Sequence, residues 1–230
     1  MTLEEFSNEF DVLLNSYSDS EIFSEKNLIK LDEYEKSIFL TKAQEEIVLG
    51  LYNGTIKAPF ENTEEVRRYL ANLICTESIS DSTTESGLTK YSYIYDLSLL
   101  DNPVWFITFE QVLLEDDALE CGNNRYASVV PTTQDDLFNI LKNPFKGPSK
   151  DRVLRLDILS DSVEIISKYS IAEYTLRYIR KVNPIILIDL PDGLSINNSH
   201  VSSECELHEA LHKSILDRAV QLAIVSKSKK

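Results

Sequence analysis

No stretch of this 230-residue sequence approaches the ~20 consecutive apolar residues that a membrane-spanning helix needs. Its acidic start, Met1-Thr2-Leu3-Glu4-Glu5, lacks the basic character of a secretory leader, so synthesis and residence in a cytoplasm are expected. Cysteine is scarce. Cys75, Cys121 and Cys205 are odd in number and far apart, with no C-x-x-C pair, which excludes a disulfide framework and a thiolate zinc site. Basic residues are outnumbered, 23 Lys and Arg against 38 Asp and Glu, giving a formal net charge of −15 and a pI near 4.6. A phosphate backbone is gripped by clustered cations that displace counterions, so sequence-specific nucleic-acid binding is not expected. An acidic surface suits plain solubility, and it equally suits a channel through which DNA slides without sticking. There is no Gly-rich phosphate loop, no G-x-S-x-G and no redox motif, so the catalytic inventory is nearly empty.

What is present is enough apolar sequence, 43%, for an ordinary buried core. Thr2 and Glu5 fit a capping box ahead of Leu3, Phe6, Phe10, Leu13 and Leu14, the spacing of an amphipathic docking helix ending near Ser16. After an ambiguous stretch, Thr41 and Gln44 start a second helix, stopped by Asn53-Gly54. Asn62 and Glu65 cap a third, with Val66, Leu70, Leu73 and Ile74 on one face. Residues 76–87 are almost wholly Ser, Thr, Glu and Asp and read as a mobile loop crossing solvent. Beyond it, residues 104–114, 126–130, 153–159, 163–167 and 174–179 are rich in Val, Ile, Tyr and Phe with period-two alternation, the pattern of strands. Residues 159–162 suit a hairpin connection, and 132–141 a short helix stopped before Asn143-Pro144. An extended apolar segment, 183–189, then leads to a C-terminal helix that Ser203 and Glu206 would cap, with Leu207, Leu211, Ile215, Ala219 and Leu222 along it and lysines at its negative end. The expected class is α+β: residues 1–76 helical, 77–88 a mobile polar loop, 89–200 a strand-rich, mostly antiparallel middle with one short helix, and 201–230 a long helix packing on the helical region.

Three constellations invite a chemical reading. His208-Glu209-Ala210-Leu211-His212 matches H-E-x-x-H, which on a helix presents two imidazoles to zinc with a glutamate as base. The extended form of that motif wants Gly where Ile215 stands and His where Arg218 stands. Only His200, Glu204 or Glu206 could add a third ligand, so a zinc-dependent hydrolase is an alternative and no catalytic residue is assigned. His200, His208 and His212 are the only histidines and remain candidates for a structural metal site; no cofactor is expected. The run Glu115, Asp116, Asp117, Glu120 lacks the ordered geometry of a calcium loop and reads as a solvated turn. Arg152, Arg155, Arg177, Arg180 and Lys181 alternate with apolar residues as on an outward strand face, where carboxylates of a neighbouring subunit are suitable partners.

Several blocks recur in an order that resembles a known family. They are Tyr34-Glu35-Lys36-Ser37-Ile38-Phe39-Leu40-Thr41-Lys42-Ala43-Gln44 with Leu51-Tyr52-Asn53-Gly54, then Glu64-Glu65-Val66-Arg67-Arg68-Tyr69-Leu70, and then Val130-Pro131-Thr132. Asn143-Pro144-Phe145-Lys146-Gly147-Pro148, Arg152-Val153-Leu154-Arg155-Leu156, Tyr178-Ile179-Arg180-Lys181, Asn183-Pro184-Ile185-Ile186-Leu187 and Cys205 through Val220 complete the order. Together they resemble the ring, or head-tail connector, proteins of crAss-like tailed bacteriophages. The resemblance implies a non-enzymatic virion component, made in the bacterial host cytoplasm, that forms a closed ring of about twelve copies in the neck between portal and tail. It further implies contacts with the portal and other ring and tail proteins, and DNA passing through the channel without sequence-specific binding or any membrane contact. Amphipathic ends suit such assembly, and Phe6, Phe10, Leu13, Arg177 and Arg180 are the candidate subunit-interface residues. A monomeric protein-binding or regulatory module is the other alternative.

Overall fold

A computed structural model describes residues 1–18, 30–56, 63–80, 82, 92–119, 124–159, 161–191 and 193–228. The chain forms an α+β protein of two units, one comprising residues 1–73 and 182–230, the other residues 74–181.

The first unit is helical. Helix α1 (Leu3–Ser18) opens with the expected reciprocal cap: the Thr2 N–H donates to Glu5 Oε2 at 2.8 Å and the Glu5 N–H to Thr2 Oγ1 at 3.2 Å. Helix α2 (Glu33–Tyr52) starts earlier than its sequence suggests, because Asp32 caps it by accepting from the Glu35 N–H at 2.7 Å. Asn53 ends it and Gly54 turns the chain at φ 73°, the left-handed region that glycine enters without strain. Thr41 and Gln44, expected to open the helix, are buried in its middle and serve a different purpose. The Ile185 N–H donates to Thr41 Oγ1 at 3.1 Å, and the Leu187 N–H donates to Ser37 Oγ at 3.0 Å. Gln44 Nε2 in turn donates to the Asn183 carbonyl at 2.9 Å. Spaced i, i+4, i+7, Ser37, Thr41 and Gln44 line one helix stripe, and that stripe gives the extended segment 183–187 the partners a neighbouring strand would otherwise supply.

Helix α3 (Glu64–Tyr69) is shorter than expected; its N-cap is Thr63, and Asn62 lies outside the described residues. Helix α5 (His212–Ser228) begins later than expected. Ser203 and Glu206 do not cap it: Ser203 exchanges backbone hydrogen bonds with Ile186 at 3.0 and 3.1 Å, and Glu206 accepts from the Asn183 N–H at 2.7 Å. The backbone there is better satisfied by the extended segment than by an additional helical turn. Asn197 and Asn198, both at positive φ between the bridged Ile196 and Ser199, make a two-residue hairpin turn.

The second unit is a seven-stranded sheet in the order β1-β7-β3-β4-β5-β6-β2, made of β1 (Ile74–Ile79), β2 (Ser92–Asp96), β3 (Val104–Glu115), β4 (Asn124–Pro131), β5 (Arg152–Leu159), β6 (Ser162–Ile166) and β7 (Ile171–Arg180). All neighbours pair antiparallel except β4 and β5, and their parallel pairing requires a crossover, which helix α4 (Gln134–Lys142) provides. Strand β1 corrects the assignment of residues 74–79 to the third helix and the polar loop. An edge strand needs only one apolar side: Cys75 and Ile79 face the core while Thr76 and Ser78 face out, so the segment reads as polar. The remainder of the expected loop, Ser80 and Ser82 apart, lies outside the described residues, as do Glu120, Cys121, Ser160 and Lys229-Lys230.

The ring of Tyr95 on β2, at one end of the strand order, packs tilted with its centroid 5.0 Å from that of Tyr174 on β7, next to the other end, so the sheet curls over on itself. Tyr95, Val112, Leu114, Val153, Ile165, Tyr174, Leu176 and Tyr178 fill the concave side. On the convex side α4 places Leu137 against Leu154, Leu156 and Ile166 and leaves the β3–β4 portion open, where Phe109 and Tyr126 are exposed.

Candidate assembly surfaces

Phe6 and Phe10 are fully buried within their own chain, and Phe6 lies 5.5 Å from the His212 ring at the start of α5. Of the two places the α1 stripe could dock, its own chain or a neighbour, Phe6 and Phe10 occupy the first. The apolar face of α1 completes the core of its own unit, and Leu13 at its margin is half-buried. Lys36, almost completely buried, reinforces the seat: its ammonium donates to Ser7 at 3.0 Å, Asp11 at 2.8 Å and Glu33 at 2.9 Å. Burial alone would lower its pKa, but the hydrogen bonds to Asp11 and Glu33 raise it above the ordinary lysine value.

The arginines divide. Arg177 is exposed on the convex face of β7, as expected, while Arg180 is half-buried with its guanidinium 3.5 Å from the Lys181 carbonyl. Arg155 points into the curled sheet, where it pairs with Glu110 and lies 3.0 Å from Asp157, so its carboxylate partners belong to its own chain. Tyr174 donates to the other oxygen of Glu110, and burial, with the Glu110 charge beside it, pushes the Tyr174 hydroxyl far above its ordinary range and keeps it a neutral donor. Arg152 also serves its own chain: its Nη2 donates to the Phe145 and Gly147 carbonyls.

The histidine motif does not form a helix face. His208 has extended ψ of 138° and caps a short 3₁₀ turn (Glu209–Leu211), accepting from the Ala210 N–H at 3.2 Å, while its ring lies 5.5 Å from Tyr69. His212 Nε2 lies 3.0 Å from the Leu207 carbonyl and Nδ1 2.9 Å from the Met1 amine, so both ring nitrogens are engaged. Burial lowers its pKa below the ordinary value, and the neighbouring Met1 amine adds to the effect. His200 borders a separate hollow with Leu190, Pro191 and Leu194. Among the described residues no group of His, Cys, Asp and Glu is placed to hold a metal ion. Asp116 of the acidic run accepts from the Ala118 and Ser170 N–H groups, which hold its pKa below the carboxylate norm. Burial pushes the Cys205 thiol up to about 11, the opposite of an activated nucleophile.

The feature that residue-by-residue reading passed over is the loop after α4. Phe145 is 87% exposed, the most open large apolar side chain among those described. Asn143 holds the loop rigid: its side chain accepts from the Phe145 N–H at 2.9 Å, and its carbonyl accepts from Lys146 at 3.2 Å and Gly147 at 2.9 Å. A Cβ on Gly147 would stand 3.2 Å from that carbonyl, so only glycine fits without displacement. The available signal was an aromatic set between Pro144 and Gly147-Pro148, where no helix or strand period could bury it.

A family model described as Phage tail ring protein 3/4 matches residues 1–230. The chain belongs to that family. It is 51% identical to Ring protein 3 of Bacteroides phage crAss001, over 99% of this chain and 97% of that protein. It is 30% identical to Ring protein 4/5 of the same phage, over 97% of this chain and 92% of that protein. As a member of the tail ring protein family, the chain is a structural virion component and not an enzyme. Among the described residues no helix is long and apolar enough to cross a membrane.

Proposed function

We propose that this tail ring protein closes into a homo-oligomeric ring of about twelve copies, stacked in the neck between portal and tail and surrounding the channel through which DNA leaves the particle. It assembles in the host cytoplasm against the portal and other ring and tail proteins. The observation that carries this reading is membership of a tail ring family across residues 1–230. A net charge of −15 supports the channel role, because a lumen of that sign repels a phosphate backbone and lets it slide. Duplex binding at physiological salt tests the channel role: the chain should retain no DNA, and tight retention would contradict it.

A further inference from the structure

We propose that the Phe145 loop is a knob that seats in the α2–α5 cleft of the adjacent copy of this chain. The proposal rests on the ring reading above and supplies its contact. A closed ring needs a heterologous interface, in which one patch of a subunit meets a different patch of the next, and the chain carries two patches that suit each other.

The knob is aromatic and basic. Around Phe145, exposed Lys142, Lys146 and Lys150 carry three positive charges with no carboxylate partner among the described residues, in a chain of net −15. The nearest loop carboxylate, Asp151, is already paired with Arg125. Arg152 and Asn143 fix the loop backbone from within, so little conformational entropy remains to be lost when the loop docks. An exposed phenyl ring held this way, ringed by charge, has the make-up of an interface anchor. A second exposed aromatic, Phe138, stands on the preceding helix.

The socket lies on the helical unit. Ile47, Leu51, Ile56, Tyr69 and Leu211 line a cleft of about 580 Å³ that opens to solvent. At Gly50 the Ile56 side chain packs directly on the α2 backbone, since a Cβ there would stand 2.5 Å from it. Glu46 and Arg218 on the rim neutralise each other at 2.8 Å, which leaves exposed Asp217 as the lining charge without an ion pair among the described residues. The apolar floor takes the phenyl ring and the acidic rim meets a lysine. An acidic chain that must bind itself needs such a local reversal of sign, because its surfaces otherwise repel.

The test follows assembly of the purified chain, alone or with neighbouring tail proteins, by native mass measurement over a concentration series. Phe145→Ala should leave the melting temperature unchanged, since the side chain packs on almost nothing, and raise the half-assembly concentration by about tenfold or more. Lys146→Asp and Asp217→Lys should each weaken assembly, and the pair combined should restore it. Assembly of Phe145→Ala equal to wild type overturns the proposal. So does a double variant no better than its parents, or a set of variants that lose DNA retention and assemble normally, which would make the loop a nucleic-acid contact. A wild-type chain that stays monomeric beside its partners removes the ring reading itself, and the knob with it.

Discussion

Glu110 sits inside the curled sheet with its side chain 6% exposed, balanced by Arg155 on one oxygen and Tyr174 on the other. Removing one partner of such a pair strands a charge in a medium that cannot solvate it. Arg155→Met should therefore cost about 3–5 kcal/mol in denaturant unfolding; a loss below about 1 kcal/mol would mean water reaches Glu110. His212 makes a second, pH-dependent case. The groups facing it are the Met1 amine, the Leu207 carbonyl, Glu209 and His208. Its folded pKa lies below the unfolded value of 6.5, so its contribution is complete above that pH and is lost as pH falls through the folded value. Melting temperature measured from about pH 7.5 to about pH 5 should fall more steeply in wild type than in His212→Gln. Parallel curves would show that the imidazole binds its proton equally well in the folded and unfolded chain, with no depression of its pKa.

At the scale of elements, α2 acts as a surrogate strand. Thr41 is buried and holds both the N–H and the carbonyl of Ile185, so Thr41→Val should cost about 1–3 kcal/mol by leaving that backbone unpaired. Thermal unfolding checks this, and an unchanged midpoint would contradict the role given to the stripe. The same element shows where sequence legibility ends. The α+β class and five strands of the middle region were readable, because β3, β5 and β7 run for eight or more positions rich in aliphatic and aromatic residues without a helix period. The start of α2 was not, because Ser37, Thr41 and Gln44 interrupt its apolar face for the sake of a segment 139 to 150 positions away. β1 was hidden by its polar outer side, and the Phe6–Phe10 stripe declared itself apolar without saying whose core it enters. Phe145 was legible as a residue and not as a site, since exposure depends on the loop that Asn143 and Arg152 build.

For the whole molecule, each unit satisfies its own core: α1, α2 and α5 close over one, and the curled sheet fills the other. What remains on the outside is what a ring component uses, namely charge of predominantly one sign, one local reversal at the Phe145 loop, and an open apolar cleft. The most direct test is averaged imaging of the intact particle. The account predicts a closed ring of about twelve copies of this chain stacked in the neck around an open channel. Absence of the chain from the particle, or its presence as isolated single copies, would contradict it.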